Sequence, residues 1–300
     1  LISWLDRRHS WKVEKDWIVF SPGVVPALNM AVLAYTQPGD SIIVQTPVYF
    51  PFFSAVEKHG RKLVYNPLKL EHGRLNMDFD DLAEKAKQGV KMLFLCNPQN
   101  PGGSVWTKDE LTRLFNICRE HNILILSDEI HSDLVLRGSK HTVLASVAPE
   151  TNDLVITAIA PSKTFNLAGM ATSALIIPNE ELRRRFSETI ENLHISLGTV
   201  FGNVTSQAAY THGDQWLGEL LEYLRRNLDM AETYFQKHIP RITMVRPEAT
   251  YMVWLDCREL GFNNDELRDF FIKKARLGLN EGRTFGPGGE GFMRMNIACP

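Results

Sequence analysis

The chain has 300 residues, 44% of them hydrophobic and 23% charged, and its 33 basic and 35 acidic side chains leave a formal net charge of -2. That length suits one large core with a smaller companion, and the charge balance offers no basic footprint for nucleic acid. No apolar run reaches the roughly 18 residues that a membrane helix requires.

Residue 1 opens directly into helix-like sequence. From Ile42 to about Ile177, short β-branched or apolar runs alternate with amphipathic stretches, the pattern of helices covering a largely parallel sheet. The strands are expected at Ile42 to Gln45, Leu63 to Tyr65, Lys91 to Cys96, Ile123 to Ser127, Leu154 to Ile159 and Thr172 to Ile177. Helices are expected at Val24 to Tyr35, Phe52 to His59, Phe79 to Gln88 and Thr107 to His121, the last with Thr107 and Glu110 as a capping box.

After Pro178 the period becomes helical, first over Glu180 to Leu193 and then from about Val204 to Lys237, a length that bridges domains or carries a bend. The runs Ile242 to Val245, Tyr251 to Leu255 and Phe292 to Ile297, with a helix over Asp265 to Ala275, read as a small α+β unit. The boundary is placed near Gly213 to Gly218, giving a large domain over 1–215 and a small one over 216–300. The Arg183-Arg184-Arg185 run reads as a solvated helix face. Cys96, Cys118, Cys257 and Cys299 show no CxxC or metal-ligand spacing, so they are expected as reduced, mostly buried thiols with no metal site. With no signal-peptide pattern, a cytoplasmic location is expected.

Four segments carry candidate chemistry. Ser21-Pro22-Gly23-Val24-Val25-Pro26 is a glycine turn into a helix start, where unpaired N–H groups suit a phosphate. Asn97-Pro98-Gln99-Asn100-Pro101-Gly102-Gly103 follows a strand end, where open α/β sheets bind ligands. Ser127-Asp128-Glu129-Ile130-His131 brings a carboxylate out of a buried strand, where it needs a positive partner. Ala160-Pro161-Ser162-Lys163-Thr164 places a lysine beside another strand terminus, and desolvation there favours the nucleophilic neutral amine.

In order, spacing and strand context these segments resemble the pyridoxal-phosphate (PLP) dependent class I/II aminotransferase family of fold type I, over nearly the whole chain. The resemblance implies an α/β fold with a large, mostly parallel mixed sheet covered by helices and a smaller α+β C-terminal domain. It implies PLP as cofactor, with Lys163 holding it covalently, Asp128 paired with its ring nitrogen, Asn100 bonded to its ring hydroxyl oxygen and Tyr49 stacked on the ring. Arg294, in Phe292-Met293-Arg294-Met295-Asn296-Ile297, would grip the substrate α-carboxylate through two parallel bonds.

Two departures from the aminotransferase pattern narrow the branch. Ala171 stands where many members carry a phosphate-binding arginine, and His131 where many carry a tyrosine. Together with Gly23-Val24-Val25-Pro26 and Lys163-Thr164-Phe165-Asn166-Leu167-Ala168-Gly169, this resembles the MalY/PatB-type carbon–sulfur lyases, which are cystathionine β-lyase-like. The phosphate would then rest on the N–H groups of Val24 and Val25 and on the Ser162 hydroxyl, and Gly102, in place of the usual Thr or Val, is expected to loosen the Asn100 loop. Lys163 would take the α-proton and protonate the leaving sulfur, with Tyr49 the second candidate donor. The segment His194 to Asn203 contains no arginine, so a thioether that is uncharged or zwitterionic on its distal side is expected as substrate. A homodimer is implied as well, with further segments at both ends in full-length relatives. The alternatives are a true transaminase and a regulatory, protein-binding role on the same fold.

Overall fold

The computed structural model describes residues 1–136, 138–196 and 198–299. In chain order it runs through α1 (Ile2–His9), β1 (Ile18–Ser21), α2 (Val24–Tyr35), β2 (Ser41–Val44), α3 (Pro51–Glu57) and β3 (Lys62–Tyr65). A small hairpin, β4 (Lys69–Glu71) and β5 (Arg74–Asn76), leads to α4 (Phe79–Ala86), β6 (Met92–Cys96), α5 (Lys108–Glu120) and β7 (Leu124–Asp128). Then come β8 (Val155–Ile159), the short α6 (Pro161–Thr164), β9 (Ser173–Ile176), α7 (Glu180–Asn192), α8 (Val200–His212) and α9 (Asp214–His238). The last part holds β10 (Thr243–Val245), β11 (Met252–Asp256), α10 (Asn264–Asp269) with a π-helical turn over Phe270–Ala275, β12 (Asn280–Glu281) and β13 (Phe292–Asn296).

Seven strands form one sheet in the order β1-β9-β8-β7-β6-β2-β3. From β8 to β3 all neighbours are parallel, whereas β9 is antiparallel to both β8 and β1. This is the large, mostly parallel mixed sheet expected from the sequence. All five residues of β6 and of β7 are buried, as strands covered on both faces must be. Side chains alternate between those faces: Ile43, Leu93, Leu95 and Ile125 pack with Leu82 of α4 and Leu114 of α5. Val44, Phe94, Leu124 and Leu126 pack instead with α2, α3 and Phe186 of α7. Burying each such side chain contributes about 1.5–3 kcal/mol.

The second sheet, β10-β11-β13-β12, is antiparallel throughout. Its Val253, Leu255 and Met293 pack against Leu217, Leu221, Leu224 and Leu228 of α9, a stripe at helical spacing, together with Trp4 of α1. Among the described residues no helix is long and apolar enough to cross a membrane.

Several expectations need correction. The helix expected over Val204 to Lys237 is two helices broken at Gly213, where a Cβ would collide with the Phe165 ring and the Ala209 carbonyl. The helix expected over Asp265 to Ala275 changes to π geometry at Phe270. Strands β1, β4, β5 and β12 were not expected. Of the three consecutive arginines only Arg184 is a solvated group, pairing with Glu181 and Glu188. Arg183 instead donates to the Ile177 and Pro178 carbonyls, and Arg185 to the Ala34 carbonyl while lying over the Tyr35 ring.

Candidate active site

Because β2, β6, β7 and β8 are parallel neighbours, their carboxyl ends meet at one edge of the sheet. The segments leaving those ends carry Tyr49, Asn100, Asp128 with His131, and Ser162 with Lys163. Strand β1 reverses against β9, which reverses against β8, so its end points the same way and delivers Val24 and Val25 as the first two residues of α2. From the small sheet, β13 supplies Arg294 and β11 supplies Met252. All of these residues line a single cavity of ≈ 250 Å³. The sequence-expected site residues are thus brought together without exception, and Ala171 joins them on the wall.

Leu124, Leu126 and Asp128 share one face of β7, so the strand period that buries the leucines also buries the carboxyl group, 5% exposed. Burial pushes the Asp128 carboxyl up to about 7; a bond from the Ile130 N–H (3.1 Å) and the Lys163 charge oppose this, while Glu129 adds to it. Asp128 forms no ion pair among the described residues. His131, 3% exposed, is pushed down to about 3 by burial and by the Lys163 and Arg294 charges, and so stays neutral. Its Nδ1 has no hydrogen-bond partner among the described residues, and its ring meets Tyr251 edge-on at 5.9 Å. It is not a satisfied structural histidine.

The loop bearing Asn100 is tightly closed. Gln99 accepts at its carbonyl from the Gly103 N–H (2.9 Å) and at its side chain from the Gly102 N–H (2.6 Å), while its amide donates to the Pro47 carbonyl (2.6 Å). A Cβ on Gly102 would lie 2.5 Å from Leu75 Cδ1. The expectation that Gly102 loosens this loop is therefore corrected, since Leu75 of β5 fills the space that a larger residue would take.

Asn100 Oδ1 accepts from Arg294 Nη1 at 3.0 Å, which leaves the Asn100 amide N–H groups free to donate into the cavity. Burial lowers the Arg294 guanidinium somewhat, against the influence of Tyr49 and Tyr251. Val24 and Val25, as the first residues of α2, have no intrahelical acceptor for their N–H groups, and Pro26 has no N–H. The set suits a planar ligand with a cationic ring nitrogen at Asp128 and a phosphate at the start of α2.

Several side chains around the cavity escaped the sequence reading. Cys96 shares the cavity wall, its thiol pushed far up by burial and by Asp128. Its position two residues beyond Phe94 on β6 was the available signal. Beneath the site, Glu129 accepts from Ser127 Oγ (2.9 Å) and the Leu144 N–H (3.0 Å) and pairs with His141 Nε2 (2.7 Å). Asp133 accepts from Trp4 Nε1 (3.0 Å) and Thr164 Oγ1 (3.1 Å) and pairs with His9 Nε2 (3.0 Å). Asn280 holds Arg294 from across the small sheet. Apart from Ser127, two residues before Glu129, these partners are distant in the chain and nothing in the local sequence marks them.

Comparison with known proteins places this geometry in context. The chain is 44% identical over 297 residues to cystathionine beta-lyase PatB of Bacillus subtilis (strain 168), spanning 99% of the chain and 77% of that protein. Its fold matches cystalysin of Treponema denticola, a crystal structure that contains a pyridoxal 5'-phosphate cofactor, with a TM-score of 0.98 and 37% identity, over 100% of this chain and 76% of that one. It likewise matches the PLP-bound C-S lyase of Staphylococcus hominis, with a TM-score of 0.93 and 34% identity, over 100% and 78% of the two chains. The profile of the family described as aminotransferase class I and II matches residues 1–300, and the chain belongs to that family.

Proposed function

We propose that this protein is a PLP-dependent carbon–sulfur β-lyase that cleaves L-cystathionine or related cysteine S-conjugates to a thiol, pyruvate and ammonia. The observation that carries the reading is Asp128, a carboxylate buried at a strand end without an ion-pair partner among the described residues, in one cavity with Lys163, Asn100 and Arg294. A protonated ring nitrogen is the charge that Asp128 lacks. The resemblance to a cystathionine β-lyase and to PLP-bound C-S lyases favours β-elimination over amino transfer.

When bound, the cofactor supplies an electron sink for the pair left behind by the α-proton. Lys163, on the cavity wall, would hold the cofactor covalently. Asp128 would keep the ring nitrogen protonated, Asn100 would donate to the ring hydroxyl oxygen, and Tyr49 would cover the ring. His131, neutral, lines the same cavity. The Val24 and Val25 N–H groups and the Ser162 hydroxyl hold the phosphate. Arg294 fixes the α-carboxylate, which aims the α-proton at Lys163 Nζ. The freed Lys163 amine accepts that proton and returns one to the departing sulfur, with Tyr49 as the alternative donor. Among the described lining residues Lys163 and Arg294 are the only lysine and arginine, which suits a thioether that is uncharged or zwitterionic on its distal side, as L-cystathionine is.

Incubation of the PLP-loaded protein with L-cystathionine tests this reading. Pyruvate and thiol should form in equal amounts with no 2-oxo acid acceptor added; turnover that strictly requires such an acceptor would make the protein a transaminase.

The same reading makes the protein a cytoplasmic homodimer. The free Cys96, Cys118 and Cys257, all buried, suit a reducing compartment. Val200 and Phe201, each 77% exposed, and Val204 at 59% form an apolar patch at the start of α8 that a second subunit would cover. Residue 197 of the arginine-free segment His194 to Asn203 lies outside the described residues. We divide the chain into domains at 215/216, a placement supported by the packing of α9 on the small sheet.

A further inference from the structure

Arg294 lies on β13 directly opposite Asn280 of β12 in the strand register. Its Nε and Nη2 both donate to Asn280 Oδ1, at 3.3 and 2.7 Å, and its Nη1 donates to Asn100 Oδ1 at 3.0 Å. The guanidinium carbon sits 4.7 Å from the centroid of the Phe285 ring, itself fully buried, so one face of the group is closed to water. A guanidinium has five N–H donors. Three are committed here, and one remains on each terminal nitrogen.

Both acceptors are neutral amides. No carboxylate pairs with Arg294 among the described residues, although other arginines there, Arg74 and Arg246 among them, are paired with carboxylates. A carboxylate at position 280 would satisfy the same two N–H groups through a bidentate pair and would cancel the charge. An amide oxygen fixes the orientation of the group and leaves its charge unspent.

We propose that Asn280 is a positioning residue that sets specificity: it aims Arg294 into the cavity while keeping it a full cation, so that the site selects amines bearing an α-carboxylate. This inference rests on the reading of Arg294 as the carboxylate receptor and extends it to a residue that does not touch the ligand. Asn280 lies on an exposed two-residue edge strand, where a substitution leaves the core intact.

The test uses the PLP-loaded protein, whose visible absorbance reports amine binding without turnover. L-Alanine carries the α-carboxylate and no leaving group; ethylamine carries neither. Asn280→Asp should weaken L-alanine binding roughly ten- to hundredfold while ethylamine binding changes by less than about twofold. Asn280→Ala, which frees the guanidinium to swing but leaves it charged, should weaken L-alanine by about threefold to tenfold. With L-cystathionine the Asn280→Asp loss should fall in KM, with kcat largely kept. An equal loss for both ligands, or no loss for L-alanine, overturns the proposal. Neither ligand is a thioether, so a wild-type protein that bound them selectively yet left cystathionine uncleaved would overturn the lyase reading and support this one.

Discussion

Thr164 donates its hydroxyl hydrogen to Asp133 Oδ2 over 3.1 Å, which ties the residue after Lys163 to the turn that carries His131. The same carboxylate accepts from Trp4 Nε1 and pairs with His9, so α1, the β7 turn and α6 meet at one buried anion. Burial alone would raise the Asp133 carboxyl, yet His9, the Arg8 charge and the Trp4 N–H together hold it below the usual carboxylate range. Its contribution to stability is therefore complete above the ordinary carboxylate range and lost as pH falls through the lowered value. Asp133→Ala leaves several buried donors unmet and should cost about 3–5 kcal/mol in urea unfolding at pH 7. Thr164→Val removes one bond and should cost only about 1 kcal/mol. If the two substitutions cost the same, the anion is not the common anchor.

Lys163→Ala should abolish the borohydride-reducible absorbance that forms on adding PLP, because no other lysine lines the cavity among the described residues. Turnover should fall by about 10²–10⁴-fold with the proton acceptor gone. Noncovalent binding should persist through the start of α2 and Asp128, and fluorescence quenching on PLP titration checks this. Undiminished reducible absorbance in the variant would place the anchor elsewhere.

Much of this site was legible because its residues follow apolar strands in fixed order. Met92–Cys96 is apolar throughout, and the residues after it could only leave a buried strand. Thr107 and Glu110 form the reciprocal capping box that their spacing announced. What stayed hidden depends on contacts distant in sequence. β1 is four residues long and exists through pairing with β9, some 150 positions on. The break at Gly213 is set by the Phe165 ring, which no local pattern encodes. Asn280 gains its meaning only from the register that sets it opposite Arg294.

Gly102 and Leu75 should be energetically coupled. Gly102→Val drives a side chain into Leu75 Cδ1 and Gln99 Oε1, an overpacking that costs about 1–3 kcal/mol. Leu75→Ala alone opens a buried cavity at a residue 3% exposed and should cost about 2–5 kcal/mol. The double variant should be more stable than the sum of the two losses by about 1 kcal/mol or more. Urea midpoints and slopes for the four proteins close this cycle, and strict additivity would mean that the loop bends away instead.

Asp128 makes the stability of the cofactor-free protein depend on pH in a direction opposite to that of Asp133. Its folded carboxyl titrates at about 7, against an ordinary value of 3.8. Between those values the native state holds a proton that the unfolded chain has released, so stability falls as pH rises and levels off above about 7. At 1.36 kcal/mol per pH unit the full loss is on the order of 4 kcal/mol. Asp128→Asn cannot ionise and should remove that slope, leaving the cofactor-free variant more stable than wild type by about 4 kcal/mol at pH 8 and by a smaller margin at pH 5. PLP supplies the missing positive charge, so saturating PLP should raise the thermal midpoint of wild type more at pH 8 than at pH 5, and that of the variant by similar amounts at both. Thermal unfolding of the two proteins at the two pH values, with and without PLP, reads all of these differences. A wild-type slope unchanged by Asp128→Asn would mean that another group governs the pH dependence.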